Sequence, residues 1–321
     1  MKIIVYKRVL VAIFAVLFAC ICSFCFVSCG RGNLSDGEKI SFEDALGRSV
    51  FVKKQPERVA SLLGSFSDVW ILSGGKLCAS ANDAWEDFGL ELDEAINVGG
   101  AHSPSLELII SASPDLVIAS ASTASHLELC NTLEAVGISV AYFDVDNFDD
   151  YLGMLDVCTD ITGRKDLYEK NGLHLKEEID RIKDSYIRQN LTEKERTVLL
   201  LRASSTSVKA KGSRGTVLGE MLSDMGCINI ADSDSTLLEN LSIESVIMND
   251  PQHIFVVTMG NDSEAAKASL EKTIKENPAW QSLRAIKEDR LHVMDKTLFN
   301  LKPNARFAEA YQKLYETLTV K

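Results

Sequence analysis

The 321-residue sequence predicts an α/β fold of two similar Rossmann-like lobes joined by one long α-helix. Three observations support this prediction. Short β-branched runs alternate with amphipathic segments on both sides of a charged central stretch. The central stretch has the apolar spacing of a single helix. One short motif occurs once on each side of it, which indicates an internal repeat.

The N-terminus predicts a secretion signal rather than part of the fold. Positive residues from Lys2 to Arg8 precede a run without charge that extends to Val27. The sequence then reads Ser28-Cys29, and a small residue before a cysteine is similar to the lipobox of bacterial lipoproteins. We expect residues 1–28 to be a lipoprotein signal peptide, Cys29 to be the lipidation site and residues 29–40 to be a linker.

Two alternatives to this N-terminal assignment stay open. Cys20 ends a second possible lipobox, although cleavage there would leave an apolar tail on the mature chain. The apolar run is also almost long enough to remain as an uncleaved transmembrane anchor. Under each alternative, the rest of the chain lies on the extracytoplasmic side of the cell membrane.

Residues 41–163 are predicted as the N-terminal lobe, with a mainly parallel sheet covered on both faces. Its expected strands are Ser49–Val52, Val59–Leu62, Cys78–Ala81, Leu116–Ala119 and Val140–Phe143. Its expected helices are Ser67–Leu72, Ser105–Ser111, His126–Val136 and Phe148–Ile161.

Residues 164–190 are predicted as the connecting helix. Leu175, Ile179, Ile182 and Tyr186 recur at spacings of four, three and four, and charged residues fill most other positions. At 1.5 Å per residue, such a helix reaches about 36 Å, which is the span of a small domain.

Residues 191–321 are predicted as the C-terminal lobe, where the α/β alternation resumes. Its expected strands are Val198–Arg202, Ser207–Ala210, Ile254–Thr258 and Leu291–Met294. Its expected helices are Thr216–Met225, Ser242–Met248, Ser263–Lys275 and Pro303–Leu318.

The internal repeat aligns residues 105–118 with residues 242–255 without a gap. Each copy reads as a helix, a turn containing proline and a buried strand. Each also carries a glutamate at its third position, Glu107 in the first copy and Glu244 in the second. One copy lies on each side of the connecting helix, and this placement predicts two similar lobes.

Charge and composition exclude several function classes. The net charge is −12, and removing the signal deletes three positive charges to leave about −15, which argues against nucleic acid as a partner. The sequence contains no Gly-x-Ser-x-Gly, Walker A or Gly-x-Gly-x-x-Gly motif, and its five histidines are dispersed. We therefore expect no catalytic residues, no cofactor and no metal ligands in this chain.

Four cysteines lie in the predicted folded part of the chain: Cys78, Cys130, Cys158 and Cys227. They show no Cys-x-x-Cys spacing, which disfavours a zinc ribbon or a thioredoxin-like site. Their apolar surroundings favour buried free thiols. A disulfide stays an alternative, because the chain is predicted to be exported.

A series of short motifs resembles periplasmic binding proteins with a helical backbone, which serve ABC importers of ferric siderophores, haem and vitamin B12. Their order and spacing carry the resemblance, which covers about residue 40 to the end. The motifs are Asp44–Val50, Pro56–Ala60, Ser113–Ile118, Gly226–Ile230, Asn277–Trp280 and Arg290–Val293. The second-lobe Asp-Pro-Gln at residues 250–252 departs from the family's Pro-Asp order.

This resemblance implies a monomeric, lipid-anchored substrate-binding protein with a ligand cleft between its lobes. The implied partners are an iron-siderophore or similar chelate and an ABC permease dimer in the cytoplasmic membrane. A binding protein for haem, cobalamin or a bare metal ion is an alternative, as is a ligand sensor without a transport role.

The resemblance also assigns the two repeat glutamates. In the family, one glutamate on each lobe docks onto arginines of the permease, and the matching residues are Glu107 and Glu244. The same residues are also favoured in the first turn of a helix by the helix dipole, so the two interpretations are compatible.

Candidate ligand-binding residues follow from the carboxyl ends of the predicted strands, where open α/β sheets bind ligands. In the first lobe they are Ser65, Phe66, Asn82, Trp85, His102 and Phe143. In the second lobe they are Arg202, Lys209, Lys211, Arg214, Thr258 and Arg306. The cations at 209–214 precede Gly215-Thr216 at a predicted helix start, an arrangement that can bind an anion. An exposed turn with solvated cations is the alternative.

Overall fold

The computed structural model describes residues 38–260 and 262–319. The predictions for the signal peptide, for Cys29 and for most of the linker lie outside these residues. Lys39–Lys321 forms one compact unit. Within the described residues, no helix is both long enough and apolar enough to cross a bilayer.

A β-hairpin precedes the first lobe. Its strands β1 (Lys39–Glu43) and β2 (Ser49–Lys53) pair antiparallel, and the Asp44 carboxylate closes the turn by accepting hydrogen bonds from the backbone N–H groups of Leu46 and Arg48. Only β2 was predicted. The strand β1 begins at Lys39, inside the segment predicted as a linker, although Lys39–Glu43 alternates polar and apolar residues as a strand does.

The first lobe contains a five-stranded parallel sheet in the order β5-β4-β3-β8-β9, which confirms the predicted parallel sheet. Its strands, together with the small hairpin β6-β7, are β3 (Val59–Ser61), β4 (Leu77–Ser80), β5 (Ile96–Asn97), β6 (Gly99–Gly100), β7 (Ser103–Pro104), β8 (Leu116–Ser120) and β9 (Ser139–Phe143). The lobe's helices are α1 (Gly64–Leu72), α2 (Asp83–Glu86), α3 (Leu106–Ser111), α4 (Ala124–Ala135) and α5 (Phe148–Thr162).

Helices cover both faces of this sheet. Trp70 of α1 and Leu155 of α5 belong to the core cluster on one face, and Ile109 of α3 and Leu133 of α4 belong to the cluster on the other. Because both faces are buried, every residue of β8 is buried, and its sequence is a continuous run of small and apolar residues rather than an alternating one.

The predicted connecting helix is present, with a π-helical turn inside it. It consists of α6 (Lys165–Tyr168), the π-helical turn Glu169–Leu173 and α7 (His174–Ile187), which together we call the linking helix. Gly172 allows this turn to pack against Leu152, because a Cβ added at residue 172 would lie 2.9 Å from the leucine side chain. The Tyr151 hydroxyl donates to the Asn171 carbonyl at 2.7 Å, which satisfies a carbonyl of the irregular turn.

The second lobe contains a mixed sheet in the order β11-β10-β13-β14, with β12 also paired to β10. The β10–β11 pair is antiparallel and the other pairs are parallel. Its strands are β10 (Thr197–Ala203), β11 (Val208–Lys211), β12 (Ile228–Asn229), β13 (His253–Thr258) and β14 (Leu291–Met294). Its helices are α8 (Val217–Asp224), α9 (Ser235–Asn240), α10 (Ile243–Asn249), α11 (Ser263–Glu276), α12 (Arg284–Lys287), α13 (Lys296–Phe299) and α14 (Phe307–Thr319).

After β14 the chain crosses to the first lobe, a feature that the sequence did not predict. Residues 295–306, the crossing segment, carry α13 and place Asn304 against α1. Helix α14 then packs along α7, and the Phe307 ring lies 5.4 Å from the Phe148 ring of α5. Three segments therefore join the lobes: the linking helix, the crossing segment and α14.

The repeat is visible in the backbone. Ser105 and Ser242 cap α3 and α10 by accepting hydrogen bonds from the N–H groups of Leu108 and Ser245. Each helix ends before a residue with positive φ, +47° at Ser113 and +40° at Asp250, and a proline and a buried strand follow. The same helix–turn–strand unit thus occurs in both lobes, as predicted.

Candidate ligand-binding cleft

The carboxyl ends of the parallel strands face the space between the lobes. A cavity of about 210 Å³ lies between helices α1 and α2 of the first lobe and the crossing segment. A second cavity, of about 360 Å³, lies between the start of α5, the linking helix, α8 and α14. Both lobes line each cavity, so side chains at these positions can contact one ligand from two sides.

The first-lobe edge depends on a close approach between α1 and α2. Gly64 begins α1, and a Cβ at this position would lie 2.6 Å from the backbone nitrogen of Ala84. The Gly64 N–H donates to Asp83 Oδ2 at 2.8 Å, whereas Asp83 Oδ1 is buried without a partner in the described residues. Burial raises the pKa of Asp83, and the Gly64 hydrogen bond opposes that shift.

Four of the six first-lobe candidates lie at this edge. Ser65 is buried and its carbonyl accepts a hydrogen bond from Asn304 of the crossing segment. Asn82 precedes α2 and donates to Glu86, while Trp85 is half-buried within α2. His102 is exposed in the turn between β6 and β7.

The structure does not support Phe66 and Phe143 as ligand contacts. Phe66 is 1% exposed and packs edge to face on Phe143 at 6.4 Å, and Phe143 stacks on Phe42 at 6.0 Å. An aromatic side chain beside a strand end can lie in the cleft or pack in the core. Here both rings belong to the core, and we leave them out of the proposed ligand-binding set.

The second-lobe cations form a strip on one face of the sheet. Arg202 lies directly opposite Lys209, and Leu200 lies directly opposite Lys211, so these side chains share the face of Leu200. Leu200 belongs to the core cluster that also includes first-lobe and linking-helix residues. Arg214 follows β11 and lines the 360 Å³ cavity between the lobes.

The charges of this strip are unpaired. Within residues 38–260 and 262–319, the side chains of Arg202, Lys209, Lys211 and Arg214 make no hydrogen bond or ion pair, and Arg202 Nε is buried without a partner. Burial lowers the pKa of Arg202, and burial together with repulsion from Arg202 and Lys209 lowers the pKa of Lys211. An anion on this strip would relieve both the repulsion and the unsatisfied donor.

The loop after the strip uses two of its backbone amides internally. The Ser213 N–H donates to Asp232 Oδ1 at 2.7 Å and the Gly215 N–H donates to Glu220 Oε1 at 3.3 Å. The protein's own carboxylates therefore occupy these two amides, and the anion site at the start of α8 stays a prediction.

Two other second-lobe candidates lie near the cleft with different roles. Thr258 is buried at the carboxyl end of β13, opposite Ala203 of β10. Arg306 lines the 210 Å³ cavity, but its guanidinium makes two hydrogen bonds to Glu309, at 2.7 and 3.0 Å. Arg306 is thus paired with a carboxylate of α14.

Sequence analysis missed the residues that connect the lobes. Asn304, fully buried, donates from Nδ2 to the Ser65 carbonyl at 2.8 Å and to Asp68 Oδ2 at 2.9 Å. Lys296 donates to Asp87 at 2.9 Å. A signal was present, because asparagine tolerates the left-handed conformation and Asn304 has a φ of +51° beside Pro303.

Lys302 was also missed. Burial lowers its pKa, while Asp146, Asp144 and Asp150 of the first lobe favour its charged form. Lys302 therefore adds a cation of the crossing segment to the acidic end of β9, on the first-lobe side of the cleft.

Glu107 and Glu244 lie at equivalent places on the two lobes. Each is exposed in the first turn of its helix, α3 or α10. The Ser242 hydroxyl donates to Glu244 Oε2 at 3.1 Å. Both carboxylates are therefore available on the outer surface.

Comparison with known proteins decides the family. The sequence profile of the periplasmic binding proteins matches residues 59–298, which is most of the chain. This chain belongs to that family. Members of the periplasmic binding protein family bind substrates outside the cytoplasm.

The four cysteines of the described residues are free thiols: Cys78, Cys130, Cys158 and Cys227.

Individual relatives agree with the family assignment. The Bacillus subtilis (strain 168) protein YhfQ, named as an ABC transporter substrate-binding lipoprotein, is 23% identical over 320 residues that cover 95% of each chain. The Fe(3+)-citrate-binding protein YfmC of the same organism is 25% identical over 308 residues, covering 91% of each. Staphylococcus aureus SirA complexed with staphyloferrin B has the same fold, with a TM-score of 0.69 and 19% identity over 88% of this chain and 99% of SirA.

Proposed function

We propose that this periplasmic binding protein captures an anionic iron chelate of the ferric siderophore class and delivers it to an ABC permease. The unpaired cationic strip of the second lobe is the observation that carries the proposal. Arg202, Lys209 and Lys211 share one sheet face, and the structure supplies no carboxylate to neutralise them. A chelate that presents carboxylate or catecholate oxygens would bind such a strip through charge-assisted hydrogen bonds.

The relatives support this class of ligand. YfmC is named for Fe(3+)-citrate, and SirA, which has the same fold, is complexed with staphyloferrin B. Trp85 on the first lobe is half-buried and offers an indole face to the planar part of a chelate. Ser65, Asn82, His102 and Thr258 add polar groups near the strand ends. Arg214 adds a cation to the 360 Å³ cavity, whose lining also includes the carboxylates of Asp149, Asp180, Glu220 and Asp224.

Ligand binding between the lobes favours their closed arrangement, and the connections limit how far they open. Three segments cross between the lobes, so we expect a small hinge motion rather than a wide one. The closed protein then presents Glu107 and Glu244 to the two permease subunits at a fixed spacing. Charge pairs of this exposed kind set orientation and association rate.

We also propose that Cys29 carries the lipid anchor and that residues 1–28 are removed. The domain limits proposed above, 41–163, 164–190 and 191–321, complete this organisation. Metabolic labelling with a fatty acid should mark the full chain and not a Cys29→Ser variant. Labelling that persists in the variant would assign the anchor to another residue.

A ligand screen tests the proposed function. Thermal shift and tryptophan fluorescence of the Gly30–Lys321 fragment are measured with ferric siderophores, haemin, cobalamins and free zinc or manganese. We expect a saturable response to ferric chelates. A response to haemin, a cobalamin or a bare metal alone would show that this compound, and not a ferric chelate, is the ligand.

A docking variant tests the delivery step. Glu107→Ala combined with Glu244→Ala should abolish uptake of the chelate while leaving its affinity for the binding protein unchanged, because both residues lie outside the cleft. Loss of affinity in the double variant would contradict the docking assignment.

A further inference from the structure

The two docking helices carry an apolar residue beside each exposed glutamate. Ile110 follows Glu107 by three residues on α3, and Ile247 follows Glu244 by three residues on α10. Residues three apart lie on the same face of a helix. The isoleucines are 37% and 40% exposed, whereas Ile109 and Val246 on the opposite faces are fully buried. Each lobe therefore presents a carboxylate and an isoleucine side by side.

The second lobe extends this face further than the first. Met248, four residues after Glu244, is 85% exposed and has a higher exposed fraction than any other large apolar side chain in the described residues. The repeat aligns it with Ser111, which is a polar residue on α3. Ile247 also lines a groove of about 520 Å³, together with Leu283 and the polar or charged residues Asp250, Ser282, Arg284, Lys287 and Glu288.

We infer that the second lobe anchors the permease through an apolar contact made by Met248 and Ile247, while the first lobe contributes a weaker contact made by Ile110. This inference rests on the proposed function, because its occupant is the permease subunit that receives Glu244. The apolar residues are continuous with the proposed charge contact, on the same helical face. Methionine suits such a contact because its flexible thioether adapts to an irregular apolar surface.

The two kinds of contact have different physical signatures. The carboxylates act at a distance, so they govern association, and salt weakens their effect. The apolar side chains act only after contact, so they govern dissociation and depend little on salt. Met248 has no counterpart at Ser111, so the apolar contact differs between the lobes, although α3 also exposes Leu108.

Dissociation kinetics test the inference. The detergent-solubilised full chain is bound to a candidate ABC permease held in nanodiscs, and dissociation is followed by biolayer interferometry. Met248→Ser, which gives the second lobe the residue of the first, should dissociate about tenfold faster, both at about 50 mM and at about 500 mM salt. Ser111→Met should slow dissociation. Phe51→Ser is the matched control, because Phe51 is 63% exposed on the β1–β2 hairpin, away from both docking helices.

The outcomes separate this inference from the docking proposal. If the double glutamate variant associates slowly while Met248→Ser and Ile247→Ser dissociate like the wild type, the apolar anchor is wrong and the charge contact stands. If the apolar variants dissociate faster and the glutamate variant behaves like the wild type, the anchor stands and the carboxylate role is wrong. A wild-type chain that does not bind this permease would overturn both.

Discussion

The cleft edges of the two lobes carry opposite charges and satisfy them differently. On the first lobe, Asp68, Asp83 and Asp87 accept hydrogen bonds from Asn304, the Gly64 N–H and Lys296, so each has a partner in the protein. On the second lobe, the side chains of Arg202, Lys209 and Lys211 have no hydrogen-bond or ion-pair partner in the described residues. The contrast indicates that the acidic edge serves the architecture, because it holds the crossing segment, whereas the basic edge is left for a ligand.

The difference also appears in the titration of buried groups. Burial raises the pKa values of Asp68 and Asp83 on the first lobe, so acid favours their folded, protonated form. On the second lobe, His253 Nδ1 and His292 Nε2 lie 3.0 Å apart, and burial lowers the pKa values of both rings. Acid therefore opposes folding at this histidine pair. The following predictions test this division between the lobes, from the largest expected effect to the smallest.

Replacing Asn304 by aspartate should break the acidic edge of the first lobe. The variant keeps the shape and the left-handed backbone, but it replaces the donor to Asp68 by a second carboxylate. We expect a loss of about 2–3 kcal/mol in the free energy of unfolding at pH 7, measured with urea.

The control for this prediction is Asn300→Asp, at the half-buried residue directly after α13, whose side chain makes no hydrogen bond in the described residues. The deficit of Asn304→Asp relative to the wild type should shrink at pH 5, where the carboxylate pair can share a proton. Equal stability of Asn304→Asp and the control at pH 7 would mean that this contact does not hold the crossing segment.

Replacing His253 by glutamine should remove an acid-sensitive element of the second lobe. Burial first, then repulsion from His292 and Arg290, lowers the pKa of His253 to about 4 in the folded protein. The pKa of histidine in the unfolded chain is about 6.5. The neutral His253 therefore stabilises the folded protein fully above pH 6.5, and this contribution is lost as the pH falls towards 4. Linkage between protonation and folding gives a loss of about 2 kcal/mol in the free energy of unfolding at pH 5.

Urea unfolding at pH 7.5 and pH 5 checks this prediction. The wild type should lose more stability between these values than His253→Gln, and the exposed His174→Gln variant should behave like the wild type. The same pH dependence in all three proteins would exclude the histidine pair as the cause.

Removing the Lys183–Asp224 ion pair should have the smallest effect. The pair joins the linking helix to α8 at 2.7 Å, but both side chains are partly exposed to solvent. Lys183→Ala should therefore change the free energy of unfolding by less than about 1 kcal/mol, measured by urea unfolding. A larger loss would show that the link between the linking helix and the second lobe depends on charge rather than on the buried Ile179 and Ile182.

The fold was largely predictable because its signals are local. The parallel strands of the first lobe are apolar runs, the linking helix has a clear apolar stripe, and the repeat marks both lobes. The crossing segment was missed because its two short turns carry no periodic pattern. Its position depends on Asn304 reaching a carbonyl and a carboxylate more than 230 positions away along the chain.

The site was less predictable than the fold. The sequence predicted a cluster of Lys209, Lys211 and Arg214, but it did not show that the antiparallel pairing of β10 with β11 places Arg202 directly opposite Lys209. It did not separate a cleft aromatic from a core aromatic, so Phe66 and Phe143, whose rings are buried in the core, were included. It also did not show that Asp232 and Glu220 occupy the loop amides, since those pairings depend on the folded turn.

The central claim, that the unpaired strip binds an anionic chelate, is tested most directly by titrating Arg202→Gln with the ferric chelate that binds the wild type. Removing the half-buried, charged donor Arg202 from the strip should weaken binding by about 10- to 100-fold. Arg188→Gln, at an exposed arginine where the linking helix ends, is the control. We expect a large loss of affinity for Arg202→Gln alone. Unchanged affinity in that variant would contradict the account and place the ligand elsewhere.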